Sequence, residues 1–556
     1  MDYMERYRLW QTEAFDEETR RELAALTDEK EIEDRFYRDL EFGTGGLRGV
    51  MGAGTNRMNR YIIRKATQGL ADWLKDFGGA EAAAQGVAIA YDSRNCSAEF
   101  ARETALTLCA NGVKAFLFDT LQPTPLLSFA VQHLSCAAGV VVTASHNPKE
   151  YNGYKVYNAG GCQLVPREAE EVIRYVNAVE LTAVSVMDEA DARNCALLTV
   201  MGRETVDAFL AAVAEQAHPM DAAAKTALRV VYSPLHGSGN LPVRAVLEKL
   251  GYTDVLVVPE QELPDGNFST VRSPNPEDRA ALEMSIAQAE ACGADIVLGT
   301  DPDCDRVGVA VKTDSGYQLL TGNQIGALLV DYVLERRKET LNPRSTLVKT
   351  IVTSELGAEI ARQRGLRVVD TLTGFKFIGE QICNYERDHS AEFVIGYEES
   401  YGYLAGTHAR DKDAVVSSML ICEMAAYYKA QGKTLLDVLA GLYETYGYYL
   451  DALDSFTLKG KDGAERIKNI MAELRRTGAE LDDSVEAVLD YSLGLDSLPK
   501  SDVLKFRLKD GSWLAVRPSG TEPKIKIYYS IRQQDRQAAQ TALTGWQEKM
   551  KQIIEG

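Results

Sequence analysis

What this chain lacks narrows its possibilities first. It has no CxxC pair, and its nine cysteines are an odd number scattered from Cys96 to Cys422. That pattern argues against a disulfide framework or a structural zinc site and for a reducing compartment, the cytoplasm. No run of about 18 apolar residues occurs, so no membrane span is expected. The opening MDYMERYRLW is charged and has no apolar h-region, so no signal peptide is expected. Positive charge is not in surplus either. The formal net charge of −20 argues against nucleic acid or an anionic membrane as the main partner. A small phosphorylated substrate is not excluded, because it answers to the local potential of a cleft.

What is present is ordinary in bulk and specific in detail. Hydrophobic residues make up 45% and charged residues 26% of the 556, so long disorder is not expected. A chain of this size divides into roughly three to five domains. The first forty residues read as charged helix, Glu13 to Leu26 and then Glu31 to Leu40. A glycine-rich loop follows, Gly43 to Gly49, from which Arg48 projects. It is not a Walker A loop, since no Gly-Lys-Ser/Thr follows.

After it, short apolar strands end abruptly in polar residues before helical stretches. Such ends are Tyr91-Asp92-Ser93-Arg94, Thr143-Ala144-Ser145, Ser233 to Gly237, Gly299-Thr300-Asp301, Thr353-Ser354 and Gly396-Tyr397-Glu398. Alternating strands and helices indicate α/β sheets, which bind ligands beyond the carboxyl ends of their strands. The last hundred residues read as a hairpin (Val503–Leu508, Trp513–Val516), a loop Arg517–Lys524, a strand Ile525–Ser530 and a closing helix, an α+β module.

Four loops carry chemistry. In Asp301-Pro302-Asp303-Cys304-Asp305-Arg306, three alternate carboxylates can converge on a hard cation. Magnesium takes a few carboxylates and completes its shell with phosphate, beside which Arg306 adds positive charge. A solvated acidic turn is the plain alternative. An EF-hand is another, but the required glycine and the closing glutamate are missing. Ser145, in Thr143-Ala144-Ser145-His146-Asn147-Pro148, reads either as a helix N-cap or as a phosphate site at a helix start. Its flanks are not those of a GxSxG elbow. Downstream, Lys155 could hold a phosphate or move a proton. In Gly396 to Gly402, Glu398 and Ser400 lie two apart, so an extended loop would aim both at sugar hydroxyls; surface acidity is the alternative. Arg517-Pro518-Ser519-Gly520-Thr521-Glu522-Pro523-Lys524 combines a guanidinium, hydroxyls, free backbone donors and an ammonium, which suits a phosphate nest better than a simple basic turn.

Together and in this order, the loops TASHNP, DPDCDR, GYEES and RPSGTEPK resemble those of the α-D-phosphohexomutase family, over essentially the whole chain. Pro302 and Cys304 stand where the family's metal loop has glycines. The Glu-Glu-Ser-aromatic-Gly sugar loop looks like that of phosphoglucomutases more than of phosphomannomutases or phosphoglucosamine mutases. Tyr397 before it points to the branch that includes phosphopentomutases.

The resemblance implies three related mixed-sheet α/β domains and a smaller C-terminal α+β domain around a central cleft. Their expected bounds are 1–200, 201–315, 316–440 and 441–556. It implies a phosphosugar substrate, glucose 1,6-bisphosphate as activator and intermediate, and a monomer or dimer. Phosphorylated Ser145 would donate its phosphoryl group to the sugar, with Mg²⁺ held by Ser145, Asp301, Asp303 and Asp305. Arg517, Ser519, Gly520, Thr521 and Lys524 would grip the distal phosphate. Thr373, Gly374, Glu398, Ser400 and Arg306 would contact substrate. Arg48, His146, Lys155 and Lys412 are the candidate acid–base groups. A lysine base would need a depressed pKa. Lys376 and His236 are as readily structural as functional.

Overall fold

The computed structural model describes residues 1–43, 45–458, 460–495, 498–519 and 524–556. Three short helices open the chain, Tyr3–Trp10, Glu17–Ala24 and Glu29–Phe36. Asp2, Asp16 and Asp28 cap them, each accepting a backbone N–H of the first turn that the helix itself cannot satisfy. The two helices expected from sequence here are therefore shorter and start at aspartate caps. Trp10, Phe15, Leu23 and Phe36 close around a small core of their own.

The chain forms two compact units. One comprises Met1–Leu320, Phe375–Phe393 and Tyr401–Ala430; the other comprises Thr321–Gly374, Val394–Ser400 and Gln431–Gly556. The first holds two mixed sheets. One has the order Leu47–Val50, Tyr151–Asn158, Ala138–Val142, Val87–Tyr91, Ala115–Phe118, Leu198–Met201. Tyr151–Asn158 runs antiparallel to both its neighbours, and the remaining pairs are parallel. Alternation sets its two faces. Val87, Ile89, Val140 and Val142 bury against Ile63, Leu70, Leu108 and Val172 of three helices. On the other face, a Cβ at Gly139 would lie 2.5 Å from Val131, so glycine there lets helix Thr124–His133 approach closely. The second sheet has the order Gly316–Leu319, Val307–Thr313, Ile296–Thr300, Val230–Ser233, Val255–Val257.

In the other unit, Ser345–Thr350 lies between Arg367–Thr371, to which it is parallel, and Glu392–Glu398. The C-terminal sheet is wholly antiparallel, in the order Tyr448–Thr457, Lys524–Gln533, Trp513–Pro518, Leu504–Leu508, Val485–Asp490. Helices Gly460–Thr477 and Arg536–Glu555 contribute to its core around Phe506, Leu514, Ile527 and Trp546. The expected α/β and α+β classes are both present. Among the described residues, no helix is long and apolar enough to cross a membrane.

Candidate active site

Strand Ala138–Val142 delivers Ser145, but no helix follows. Ser145 takes φ +52°, and the chain turns back into Tyr151–Asn158. The expected helix start at this hydroxyl is thus corrected: no helix dipole serves it. Tyr154 and Val156 join the core of the first sheet, and that burial favours a strand here. Ser145 Oγ donates to Asp301 Oδ2 at 2.8 Å and lies 3.1 Å from His146 Nδ1.

Asp301, Asp303 and Asp305 follow strand Ile296–Thr300 and are buried, and ligand oxygens from all three lie within 4.8 Å of one another. The loop folds this way through its own amides. Asp305 N and Arg306 N donate to Asp301 Oδ1 at 3.1 and 3.0 Å, and Cys304 N donates to Asp301 O at 2.9 Å. Cys304 takes the left-handed bend, φ +51°. Two lysines face the carboxylates, Lys155 buried and Lys412 partly buried. Lys155 lies 3.1 Å from Asp303 and 3.7 Å from Asp305, and Lys412 lies 3.0 Å from Asp305.

These charges set one another. Burial, then Asp303 and Asp305, push the Asp301 carboxyl well above the usual carboxylate range. Burial is the largest influence on Asp303 and pushes it upward, but Lys155, the Asp301 hydrogen bond and Lys412 together outweigh it and hold that carboxyl low. Burial pulls Lys155 down, yet Asp303 and Asp305 together raise it. The depressed lysine pKa asked for by the sequence argument is therefore not found at Lys155. Burial, then Arg306 and Arg48, push the His146 imidazole well below its ordinary value.

The donor set fits a hard divalent cation. Asp303 Oδ1 and Asp305 Oδ1 are buried and accept no hydrogen bond among the described residues. Buried acceptors normally find a donor, and three carboxylates at one point suit Mg²⁺.

Arg306 turns its guanidinium to Glu277 at 2.5 Å, while its amide serves Asp301. Arg48 is exposed on strand Leu47–Val50 opposite Gly153. His236 has both ring nitrogens engaged, with Leu263 O at 3.1 Å and Thr270 Oγ1 at 2.8 Å. Sequence reading gave no role to Thr124, whose hydroxyl donates to Asp303 at 3.0 Å from the start of a helix. It also passed over Asp411, which accepts from Tyr157 at 2.6 Å and pairs with Lys412 at 3.2 Å. Asp92 and Arg94 were legible only as polar residues at a strand end.

In the other unit, Glu398 ends its strand buried and accepts from Gly374 N at 2.8 Å. Thr373 Oγ1 is buried and has no hydrogen-bond partner among the described residues. Glu399 to Tyr401 form a turn, with Tyr401 at φ +62°, so Glu398 and Ser400 do not share one extended loop as expected. Arg517 is the penultimate residue of strand Trp513–Pro518, and Ser519 N donates to Lys524 O at 2.8 Å. Gly520 and Thr521 lie outside the described residues.

A serine hydroxyl on converged carboxylates, beyond the carboxyl ends of α/β strands, suits phosphoryl transfer. The comparisons with known proteins make the class specific. The models of the phosphoglucomutase/phosphomannomutase alpha/beta/alpha domains I, II and III match residues 39–183, 207–316 and 321–446, and that of the C-terminal domain matches 463–543. A phosphoglucomutase of Staphylococcus haemolyticus is 37% identical over 90% of this chain and 91% of its own length. One of Staphylococcus aureus is 36% identical over 91% and 92%. The solved parafusin (phosphoglucomutase) of Paramecium shares the fold at TM-score 0.72 and 17% identity, over 93% of this chain and 95% of its own. A putative phosphomannomutase of Thermus thermophilus does so at TM-score 0.69 and 24% identity, over 93% and 100%. The chain belongs to the phosphoglucomutase/phosphomannomutase family. It is an enzyme of the phosphomutase class, an intramolecular phosphotransferase.

Proposed function

We propose that this enzyme interconverts glucose 1-phosphate and glucose 6-phosphate through a phosphorylated Ser145 and a glucose 1,6-bisphosphate intermediate. The observation that carries the reading is the 2.8 Å contact between Ser145 Oγ and Asp301 within the converged carboxylates. The relatives named phosphoglucomutase at 36–37% identity support glucose as the sugar.

In the proposed cycle a sugar hydroxyl attacks the phosphorus on Ser145, the Oγ–P bond breaks, and the hydroxyl proton passes to a base. The bisphosphate reorients, and its other phosphoryl group returns to Ser145. Of the four acid–base candidates His146 is taken as the base, its Nδ1 being 3.1 Å from the serine oxygen. Lys155 and Lys412, paired with Asp303 and Asp305, serve as cations beside the transferring group, and Arg48 adds charge. Mg²⁺, held by Asp301, Asp303, Asp305 and the group on Ser145, would neutralise the phosphoryl oxygens. Arg517, Ser519, Gly520, Thr521 and Lys524 would hold the distal phosphate, with Thr373, Gly374, Glu398, Ser400 and Arg306 on the sugar. Such a grip orients the attack. All nine cysteines are free thiols, which supports work in a reducing cytoplasm.

Kinetics on a panel of hexose and pentose 1-phosphates, with mass spectrometry of the Ser145 peptide, test the reading. The expected result is highest kcat/KM for glucose 1-phosphate, a requirement for Mg²⁺, and phosphate on Ser145. A pentose or mannose preference, or net bisphosphate synthesis, would reassign the substrate; Tyr397 favours checking the pentose first. Full mutase activity in Ser145→Ala would refute the mechanism.

A further inference from the structure

Arg94 is fully buried, yet a buried guanidinium is costly unless its donors are used. Here they are spent almost wholly on one loop. Nη2 donates to the carbonyls of Ser145 and Asn147, both at 2.5 Å, and Nη1 donates to those of Pro148 at 2.9 Å and Tyr151 at 3.1 Å. Five donors in a fixed plane make arginine suited to gathering several carbonyls at once. Its charge is met by Asp92, 3.3 Å from Nε, and one face lies over the ring of Phe268, 5.0 Å from the centroid.

Asp92 fixes the loop from the other side. It accepts from Thr143 Oγ1 at 2.6 Å, from Ser97 Oγ at 2.7 Å and from Arg94 N at 2.9 Å. Thr143 Oγ1 in turn accepts from Ser145 N at 2.8 Å. The amide of Ser145 is thus tied through Thr143 to Asp92, and its carbonyl is tied to Arg94. Ser273 Oγ takes the carbonyl between, that of His146, at 2.9 Å. Pinned at both ends, Ser145 stays in a left-handed conformation that a non-glycine residue adopts only when its surroundings impose it. Its side chain is left to face Asp301.

We propose that Arg94 is a positioning residue, which holds the backbone of Ser145 so that its Oγ meets the carboxylates without reorganisation during phosphoryl exchange. The proposal rests on the phosphoserine reading above. The Arg94 guanidinium donates to backbone carbonyls of the loop and not to Ser145 Oγ, so it acts through the loop.

The test uses the full-length enzyme with Arg94→Ala, Arg94→Lys and a control destabilised in the core of the same domain, Leu108→Ala. Four readouts are taken: kcat and KM, phosphate occupancy of the Ser145 peptide after glucose 1,6-bisphosphate, amide hydrogen exchange over residues 143–151, and thermal stability. Arg94→Ala is expected to lose about 100-fold in kcat, the scale of a 1 Å misplacement, with KM little changed. Exchange in 143–151 should rise in that variant and not in the control. Guanidinium at sub-denaturing concentration should restore both kcat and protection, whereas methylammonium should not. Arg94→Lys, a single cation without the fork, should remain impaired. Wild-type kcat and exchange in Arg94→Ala would overturn the proposal. So would losses that match the control and resist rescue by guanidinium. If wild-type Ser145 never carries phosphate, the phosphoserine reading fails, while the exchange data still decide whether Arg94 orders the loop.

Discussion

Removing Lys155 separates its role as counter-ion from that of a metal site. Its ammonium lies 3.1 and 3.7 Å from two buried carboxylates. At an effective dielectric of about 20, those distances correspond to gross attractions of about 5 and about 4.5 kcal/mol. Desolvation offsets much of this, and breaking such a buried pair costs about 3–5 kcal/mol net. In Lys155→Met, Asp305 keeps Lys412 at 3.0 Å and Arg306 at 3.9 Å, whereas Asp303 loses its lysine partner. The apo-protein should therefore melt several degrees lower in EDTA. Divalent cation meets the opposite change, since a competing positive charge is gone. Its dissociation constant should fall by at least about tenfold, or about 1.4 kcal/mol. Titration of Mg²⁺ by calorimetry, with thermal unfolding at each concentration, measures both. Mutase activity should fall despite the tighter metal. A folded variant that binds Mg²⁺ no better than wild type would refute the argument that the lysine and the cation compete for these carboxylates.

Three further outcomes follow from other sites. Lys505 is buried over the Trp513 ring, and burial, then Lys349, lowers it to about 8. The unfolded chain holds that proton more tightly, so stability rises with pH between about 8 and the ordinary 10.4, by about 3 kcal/mol; Lys505→Met should abolish this component in melting curves taken across that range. A Cβ at Gly326 would lie 2.2 Å from the ring of buried Tyr397, so Gly326→Ala should cost about 1–3 kcal/mol by overpacking, and KM should rise as adjacent Glu398 shifts. Arg517→Gln should raise KM for the sugar phosphate about 10–100-fold, the loss of one charge-assisted hydrogen bond, with a smaller effect on kcat.

The sequence carried the site's composition better than its local backbone. Alternate aspartates at a strand end were readable because strand, bend and carboxylate chemistry are all local, and they do converge. The strand after Ser145 was not, because a serine behind an apolar strand has the same signature whether a helix or a hairpin follows. What decides is the burial of Tyr154 and Val156 in a core assembled from distant helices. The strands Tyr448–Thr457 and Val485–Asp490 were missed for a related reason. Their residues are largely half-buried or exposed, so the apolar pattern is faint, and pairing with Lys524–Gln533 and Leu504–Leu508 defines them. Arg94 was visible as a residue but not as a clamp, since its four acceptors are backbone carbonyls that no side-chain motif encodes.

Cys304 tests whether the metal loop depends on the residue at its bend. Glycine adopts φ +51° without strain, whereas cysteine pays about 1–2 kcal/mol for a left-handed position. Cys304→Gly relieves that strain. It also removes a buried thiol, costing roughly 1 kcal/mol of apolar burial, and loosens the unfolded chain by about 0.4–1 kcal/mol. The effects nearly cancel, so the melting temperature should barely move. The carboxylates should stay in place as well, because the bonds that gather them, from Cys304 N, Asp305 N and Arg306 N to Asp301, are all backbone donors that glycine preserves. Unchanged Mg²⁺ affinity in Cys304→Gly is therefore the expected result. A loss beyond tenfold, in a variant that still folds, would show that the thiol packed beside Tyr232 and Thr300 shapes the loop rather than filling it.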